Sequence, residues 1–147
     1  MFFGEFYHTL DEKGRLTIPA DYRKLLAGDD GAFLMRGFDK NLILISNKLF
    51  FKLNDSVNQL SLTDPSVRLL RRFLFSGAAQ LTFDKIGRIL VPQYLRAVAE
   101  IENEVVIAGV GNYAEIWSPA LWAAQQAQFN DPSVTAGSFI AFNLTSN

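Results

Sequence analysis

Residues Thr9 to Arg23 recur 73 positions further along as Thr82 to Arg96, and this recurrence constrains the fold more than any other feature of the sequence. Thr9, Asp11, Gly14, Arg15, Pro19 and Arg23 meet Thr82, Asp84, Gly87, Arg88, Pro92 and Arg96, six identities in fifteen positions, where chance gives roughly one. Leu16 and Ile18 match Ile89 and Val91 in character. With the offset shortened by one residue, Gly37, Ser46 and Phe50 meet Gly109, Ser118 and Trp122. A chain of 147 residues occupied largely by two copies of one unit has room for a single body built from related halves.

Each copy reads in the same way. A strand (Glu5 to Leu10; Ala79 to Phe83) enters a turn at Asp-x-x-Gly, and a short alternating strand leaves it through Leu16-Thr17-Ile18 or Ile89-Leu90-Val91. Asp accepts backbone N–H bonds at a turn entry, and Gly adopts a positive φ at no steric cost. Pro19 and Pro92 end the ladder and suit the start of a short helix with apolar residues at i, i+3 and i+4. Two further strands follow, Phe33 to Arg36 with Leu42 to Ile45, and Val105 to Ala108 with Glu115 to Trp117. Helices are predicted over about Asn47 to Leu60, about Pro65 to Leu74 behind the Asp64-Pro65 cap, and from Pro119 to about Gln128. Residues 130–147 receive no assignment. Neither half has the strands to bury both faces of a sheet, so the halves are expected to interleave about an internal pseudo-twofold axis. The fold class is α+β and β-rich: repeat 1 at 5–47, a helical connector at 48–75, repeat 2 at 76–120, and a C-terminal helix and tail at 121–147.

Composition narrows the function classes. The chain is 49% apolar with 13 Phe, which marks a folded protein and suggests that some apolar surface meets another subunit. It has no Cys, which removes disulfides, thiolate-bound zinc and thiol nucleophiles. The N-terminal residues lack the basic start and apolar run of a signal peptide, and no apolar stretch approaches the ~18 residues that cross a bilayer, so the expected location is cytoplasmic. Asn143-Leu144-Thr145 has glycosylation spacing, read as accidental in such a chain. Net charge is −1, but residues 1–77 carry 11 Lys/Arg against 9 Asp/Glu, and residues 78–147 carry 3 against 6. A nucleic-acid partner would therefore need its few basic side chains concentrated by assembly.

The strongest candidate site is the doubled turn, Asp11-Glu12-Lys13-Gly14-Arg15 and Asp84-Lys85-Ile86-Gly87-Arg88. Each places an Arg directly after a tight Gly turn, with Lys13 or Lys85 near it. The planar guanidinium grips phosphate or the O6/N7 edge of guanine, and a pseudo-dyad offers two such forks at fixed separation. Gly14 and Gly87 shape the turns together with Asp11 and Asp84. The plainer alternative is an Asp–Arg ion pair that merely locks each turn; a motif kept at two related sites favours a binding role.

Other features carry less. Arg68, Arg71 and Arg72 share one helical face, the pattern of a solvated or salt-bridging surface, and Val67, Leu70, Phe73 and Leu74 oppose them as core or interface. Gly109-Val110-Gly111-Asn112-Tyr113-Ala114 mimics a dinucleotide fingerprint, but the repeat aligns Gly109 with Gly37 in a strand-to-strand turn where that fingerprint needs a helix. His8 is the single histidine, and no serine elbow, phosphate loop or metal cluster accompanies it. The expectation is a non-enzyme with no cofactor, no metal and no small-molecule substrate. Arg and Lys neighbours would depress the pKa of Asp11 and Asp84 rather than prepare an acid.

The chain resembles the MraZ family of bacterial regulators, built from two SpoVT/AbrB-like modules. The resemblance rests on Met1-Phe2 with Gly4-Glu5, His8-Thr9-Leu10-Asp11, Lys13-Gly14-Arg15-Leu16, Ile18-Pro19, Asp64-Pro65 with Arg68, Arg72 and Phe75-Ser76-Gly77-Ala78, Asp84 with Gly87-Arg88 and Pro92, and Glu115-Ile116-Trp117. It implies a swapped-hairpin, double-ψ-like barrel formed within one chain and an octamer-like ring of identical subunits. It also implies nucleoid-associated binding of double-stranded DNA at direct repeats upstream of the family's own gene, in the division and cell wall cluster, usually as a repressor. Carried onto this sequence, the contacting loops hold Arg15 and Arg88, with Lys13 and Lys85 beside them. Ile86 stands opposite Lys13, so the loops are not equivalent, and the acidic second half weighs against its share of binding. The rival reading is a non-enzymatic, ring-forming or antitoxin-like protein whose loops clasp another protein.

Overall fold

The computed structural model describes residues 1–142. The first repeat forms β1 (Glu5–Thr9), β2 (Arg15–Thr17), α1 (Ala20–Gly28), β3 (Ala32–Arg36) and β4 (Leu42–Ser46). Helices α2 (Asn47–Asn58) and α3 (Pro65–Phe75) follow. The second repeat returns the same series as β5 (Ala79–Leu81), β6 (Arg88–Leu90), α4 (Gln93–Val98), β7 (Glu104–Gly109) and β8 (Ala114–Trp117), then α5 (Pro119–Phe129) and α6 (Pro132–Ala141).

The repeats interleave as their strand count requires. Six strands form one antiparallel sheet in the order β1-β7-β8-β4-β3-β5, and β2 pairs with β6 in a separate ribbon. Only β3–β4 and β7–β8 are pairs within a repeat; β1–β7, β3–β5, β4–β8 and β2–β6 each join the two. The registers locate the pseudo-twofold axis. In the ribbon Arg15 faces Leu90, Leu16 faces Ile89 and Thr17 faces Arg88, a pairing symmetric about Leu16 and Ile89. In the sheet Leu42 faces Ile116 and Leu44 faces Ala114, symmetric about Ile43 and Glu115. The sheet does not close into a barrel: β1 and β5 are its two edges.

Both sheet faces are covered, which explains why β4 and β7 read as nearly unbroken apolar runs. On one face the ribbon, α1 and α4 bury Leu16, Ile18, Leu26, Ile89, Val91 and Leu95 against Leu34, Leu44, Ile107 and Ile116, a core drawn from both repeats. On the other, α2 and α3 bring Phe50, Val57 and Leu74 onto Met35 and Ile45, with Leu70 and Phe73 packed beside them. Phe33 and Phe50 stack there with ring centroids 3.9 Å apart. Trp117 and Trp122 close a smaller cluster with Val106 and Ala108 under α5.

The helix starts follow capping chemistry. The Ser46 and Ser118 hydroxyls each accept the N–H of the third residue onward, at 3.2 Å, and open α2 and α5. Asp64 caps α3 by accepting from the Ser66 N–H at 2.9 Å, with Pro65 in the first turn. Asp131 does the same for α6 through the Ser133 N–H at 3.0 Å, with Pro132 behind it. Thus α6 corrects the absence of any assignment after residue 130, and the repeat extends to a seventh element in each half. Residues 143–147, with the Asn143-Leu144-Thr145 spacing, lie outside the described residues. No described helix is long and apolar enough to cross a membrane.

Candidate nucleic-acid interface

The two Asp-x-x-Gly-Arg turns sit side by side because their strands pair across the axis. Leu16 and Ile89 point inward and are buried, so alternation sends Arg15, Thr17, Arg88 and Leu90 to the opposite, outer face of the ribbon. Each turn closes on its own backbone: Gly14 N–H donates to the Asp11 carbonyl at 3.0 Å, and Gly87 N–H to that of Asp84 at 3.1 Å. Gly14 and Gly87 hold φ of 81° and 83°, the left-handed region that a side chain disfavours by about 1–2 kcal/mol.

Each aspartate organises its loop. Oδ1 of Asp11 accepts the N–H groups of Lys13 and Arg15, both at 2.9 Å, while Oδ2 takes Arg15 Nε at 2.6 Å. Asp84 repeats the pattern, with the Ile86 N–H at 3.1 Å, the Arg88 N–H at 2.8 Å and Arg88 Nε at 2.7 Å. The backbone N–H of Arg15 is the chief influence holding the Asp11 carboxyl below the usual range, with the Arg15 side chain and the Lys13 N–H acting in the same direction. Asp84 is lowered by the corresponding groups of Arg88 and Ile86. The expected depression is present, with a backbone donor ahead of the side-chain charge as its cause.

The carboxylate grips each guanidinium by Nε. Arg88 also extends a terminal nitrogen to Asp11 Oδ2 across the axis at 3.5 Å. Asp11 therefore serves both arginines, and the two loops are not equivalent. Both lysines are exposed, Lys13 and Lys85 alike.

Sequence reasoning missed two residues here. Arg23 on α1 and Arg96 on α4 are half-buried beneath the loops, each under the glycine of the other repeat: a Cβ on Gly14 would stand 3.0 Å from Arg96 Cζ, and one on Gly87 would overlap the Arg23 guanidinium. Both were visible as repeat identities, but their loop partners lie far away in sequence. Lys13, Arg15, Arg23, Lys85, Arg88 and Arg96 gather here against Asp11, Glu12 and Asp84, six cations to three carboxylates, in a chain whose net charge is −1. The second loop taken alone, with Lys85 and Arg88 against Asp84, is more basic than the first, where Lys13 and Arg15 meet Asp11 and Glu12.

The other candidates fall to local roles. Arg68 donates to the Leu62 carbonyl at 2.9 Å and Arg71 to Asn58 Oδ1 at 2.6 Å, bracing the α2–α3 connection. The Gly109-Val110-Gly111 segment is the β7–β8 turn, closed by Val110 N–H to the Tyr113 carbonyl at 3.0 Å. His8 lies within β1. Among the described residues no group of His, Asp and Glu has the arrangement of a metal site. One polar cluster was not expected: Glu115, beside the axis in the sheet, accepts from Trp117 Nε1 at 3.2 Å and Asn41 Nδ2 at 2.9 Å. Burial raises its pKa, those two hydrogen bonds oppose the rise, and Asp39 adds to it. It fastens the β3–β4 turn to β8.

Two interleaved copies of one strand, loop and helix unit, presenting paired Asp–Gly–Arg turns about a pseudo-dyad, define a duplicated swapped-hairpin protein. The family described as "MraZ protein, putative antitoxin-like" matches it twice, over residues 1–73 and 74–142. The transcriptional regulator MraZ of Herpetosiphon aurantiacus is 47% identical over 131 residues, covering 89% of this chain and 90% of that protein. Its namesake from Thermomicrobium roseum is 46% identical, covering 85% and 87%. That of Desulfitobacterium hafniense is 39% identical, covering 92% and 94%. The chain belongs to the MraZ family.

Proposed function

We propose that this chain is a sequence-specific DNA-binding transcriptional regulator that represses its own operon, in the division and cell wall cluster, by binding direct repeats upstream of its gene. The observation that carries this reading is the β2–β6 ribbon with Arg15 and Arg88 on its outer face, each held through Nε by an aspartate. A two-stranded ribbon fits the major groove, and a guanidinium held through Nε offers its terminal nitrogens to guanine O6 and N7. Lys13 and Lys85, exposed on the loops, suit phosphate oxygens. The names of the relatives, transcriptional regulators, agree with this role.

One subunit presents few contacts, so affinity would come from a ring of identical subunits that aligns several loop pairs with successive repeats and raises effective concentration. Exposed Val134, Ile140 and Phe142 on and just after α6, and an apolar groove of about 530 Å³ lined by Met35, Ile43, Leu53 and Leu70, are surfaces that assembly would cover. The rival is an antitoxin-like protein whose loops clasp a protein partner, which the family description favours.

Fluorescence anisotropy on labelled DNA from upstream of the chain's own gene, across a salt series, separates the two. Arg15→Ala and Arg88→Ala should each weaken specific binding by about 1–3 kcal/mol and relax base preference, whereas Lys13→Ala should reduce the salt slope by roughly 0.9 without changing preference. Binding with no preference over random DNA, or arginine variants that bind like the wild type, would move the loops to a protein partner.

A further inference from the structure

We infer that Arg23 and Arg96 are positioning residues that act crosswise: Arg23 of the first repeat holds the second repeat's loop, Asp84 to Arg88, and Arg96 of the second holds the first loop, Asp11 to Arg15. The consequence for DNA rests on the function proposed above; the crosswise hold itself does not.

Three observations converge. Each guanidinium lies against the other repeat's loop glycine: a Cβ on Gly87 would overlap Arg23, and one on Gly14 would stand tightly against Arg96 at 3.0 Å. Each of those glycines is also tied by its carbonyl to the other repeat's strand: Gly14 O accepts from Val91 N–H at 2.9 Å, and Gly87 O from Ile18 N–H at 3.1 Å. Arg96 then joins the two restraints, because its Nε donates to the Val91 carbonyl at 3.1 Å. Val91 thus grips Gly14 with its N–H and Arg96 with its carbonyl. Glycine at these turns has two reasons to be there, the positive φ and the flat cation pressed against it.

The two sides differ. Arg23 Nε is buried with no hydrogen-bond partner among the described residues, so Arg23 holds the second loop by packing of its guanidinium, beside the Ile18 hydrogen bond to Gly87. The reach of Arg88 to Asp11 across the axis adds a further restraint on that side. Neither arginine takes part in an ion pair among the described residues, so each remains a cation lodged under a loop whose own arginine is neutralised in part by aspartate.

A residue that acts through one loop has a signature that direct phosphate contact and general destabilisation lack. Amide hydrogen exchange read by mass spectrometry on the full chain, without DNA, tests the hold. Arg23→Met keeps the aliphatic stem and removes the guanidinium. It should speed exchange across residues 84–88 by roughly tenfold, the size of about one lost restraint, and leave residues 11–15 unchanged. Arg96→Met should do the reverse. Arg23→Lys and Arg96→Lys serve where a methionine variant does not fold, and the same crossed pattern is expected. Acceleration of the loop in the same repeat, or of both loops equally, overturns the inference.

The second arm uses anisotropy with the upstream DNA. Arg23→Met should be non-additive with Arg88→Ala and additive with Arg15→Ala, and Arg96→Met should show the opposite couplings. Additivity with both would make these arginines direct contacts and overturn the positioning role. Absence of specific DNA binding by the wild type would instead defeat the regulator reading, while the exchange pattern would still decide the crosswise hold.

Discussion

Leu16 and Leu90 sit on the same two-stranded ribbon, one position apart from facing each other, and the structure puts them on opposite faces: Leu16 is 0% exposed and Leu90 56%. The same substitution, Leu→Ala, should therefore have two outcomes. It deletes about three carbons, worth roughly 0.8 kcal/mol each when fully buried, or about 2.4 kcal/mol of transfer free energy. At Leu16 the cavity left between Ile89, Ile18 and the sheet adds to this, for a total of about 3–5 kcal/mol. At Leu90 less than half of the side chain is covered and no cavity can form, so about 1 kcal/mol is the ceiling. At about 3 °C per kcal/mol for a chain of this size, Leu16→Ala should lower Tm by roughly 10 °C and Leu90→Ala by about 3 °C or less. Calorimetric melts at matched protein concentration, backed by urea titrations with unchanged m, measure both. Equal losses would refute the assignment of ribbon faces, and with it the claim that Arg15 and Arg88 point outward.

Two further outcomes follow from the site and the sheet edge. Asp11 and Asp84 have folded pKa values below the ordinary 3.8, so their contribution to stability is full above that value and lost as pH falls through the lowered one; Asp11→Asn with Asp84→Asn should flatten the acid limb of Tm against pH and lower Tm at neutral pH. Trp122 Nε1 donates to Glu5 Oε1 at 2.7 Å, tying edge strand β1 to α5. Trp122→Phe should cost about 1–2 kcal/mol and speed amide exchange in residues 5–9 ahead of the rest, and unchanged exchange there would remove the clamp.

What could be read in advance was local or periodic. The Asp-x-x-Gly-Arg turns came through because their chemistry is complete within five residues, and Asp11 and Asp84 accept the backbone donors that their position requires. Interleaving was accessible from strand number alone. The open sheet was not, since whether β1 and β5 meet depends on the tilt and length of strands far apart in sequence. Helix α6 escaped because Thr135, Gly137 and Ser138 are weak helix formers. Yet Asp131-Pro132-Ser133-Val134 copies Asp64-Pro65-Ser66-Val67, the legible cap of α3. Arg23 and Arg96 stand out in the sequence only as repeat identities, because no spacing rule links Arg23 to Gly87 or Arg96 to Gly14.

The exchange of strands between repeats has a bearing on how the chain comes off the ribosome. β1 is made first, but its partner β7 begins at Glu104, and at about 5–20 residues per second that partner follows some 5–20 s later. Through most of that interval the first half carries Phe6, Leu16, Ile18 and Leu34 with no opposite face to bury them, since the core they enter is completed by Ile89, Val91 and Ile107. The nascent first half is thus a sticky, half-built sheet, and on a crowded polysome the equivalent segment of a neighbouring chain is a chemically adequate substitute for its own second half. Joining both copies in one polypeptide makes the correct partner the nearest one, and the close β4–β8 and β2–β6 pairings across the axis then seal the choice.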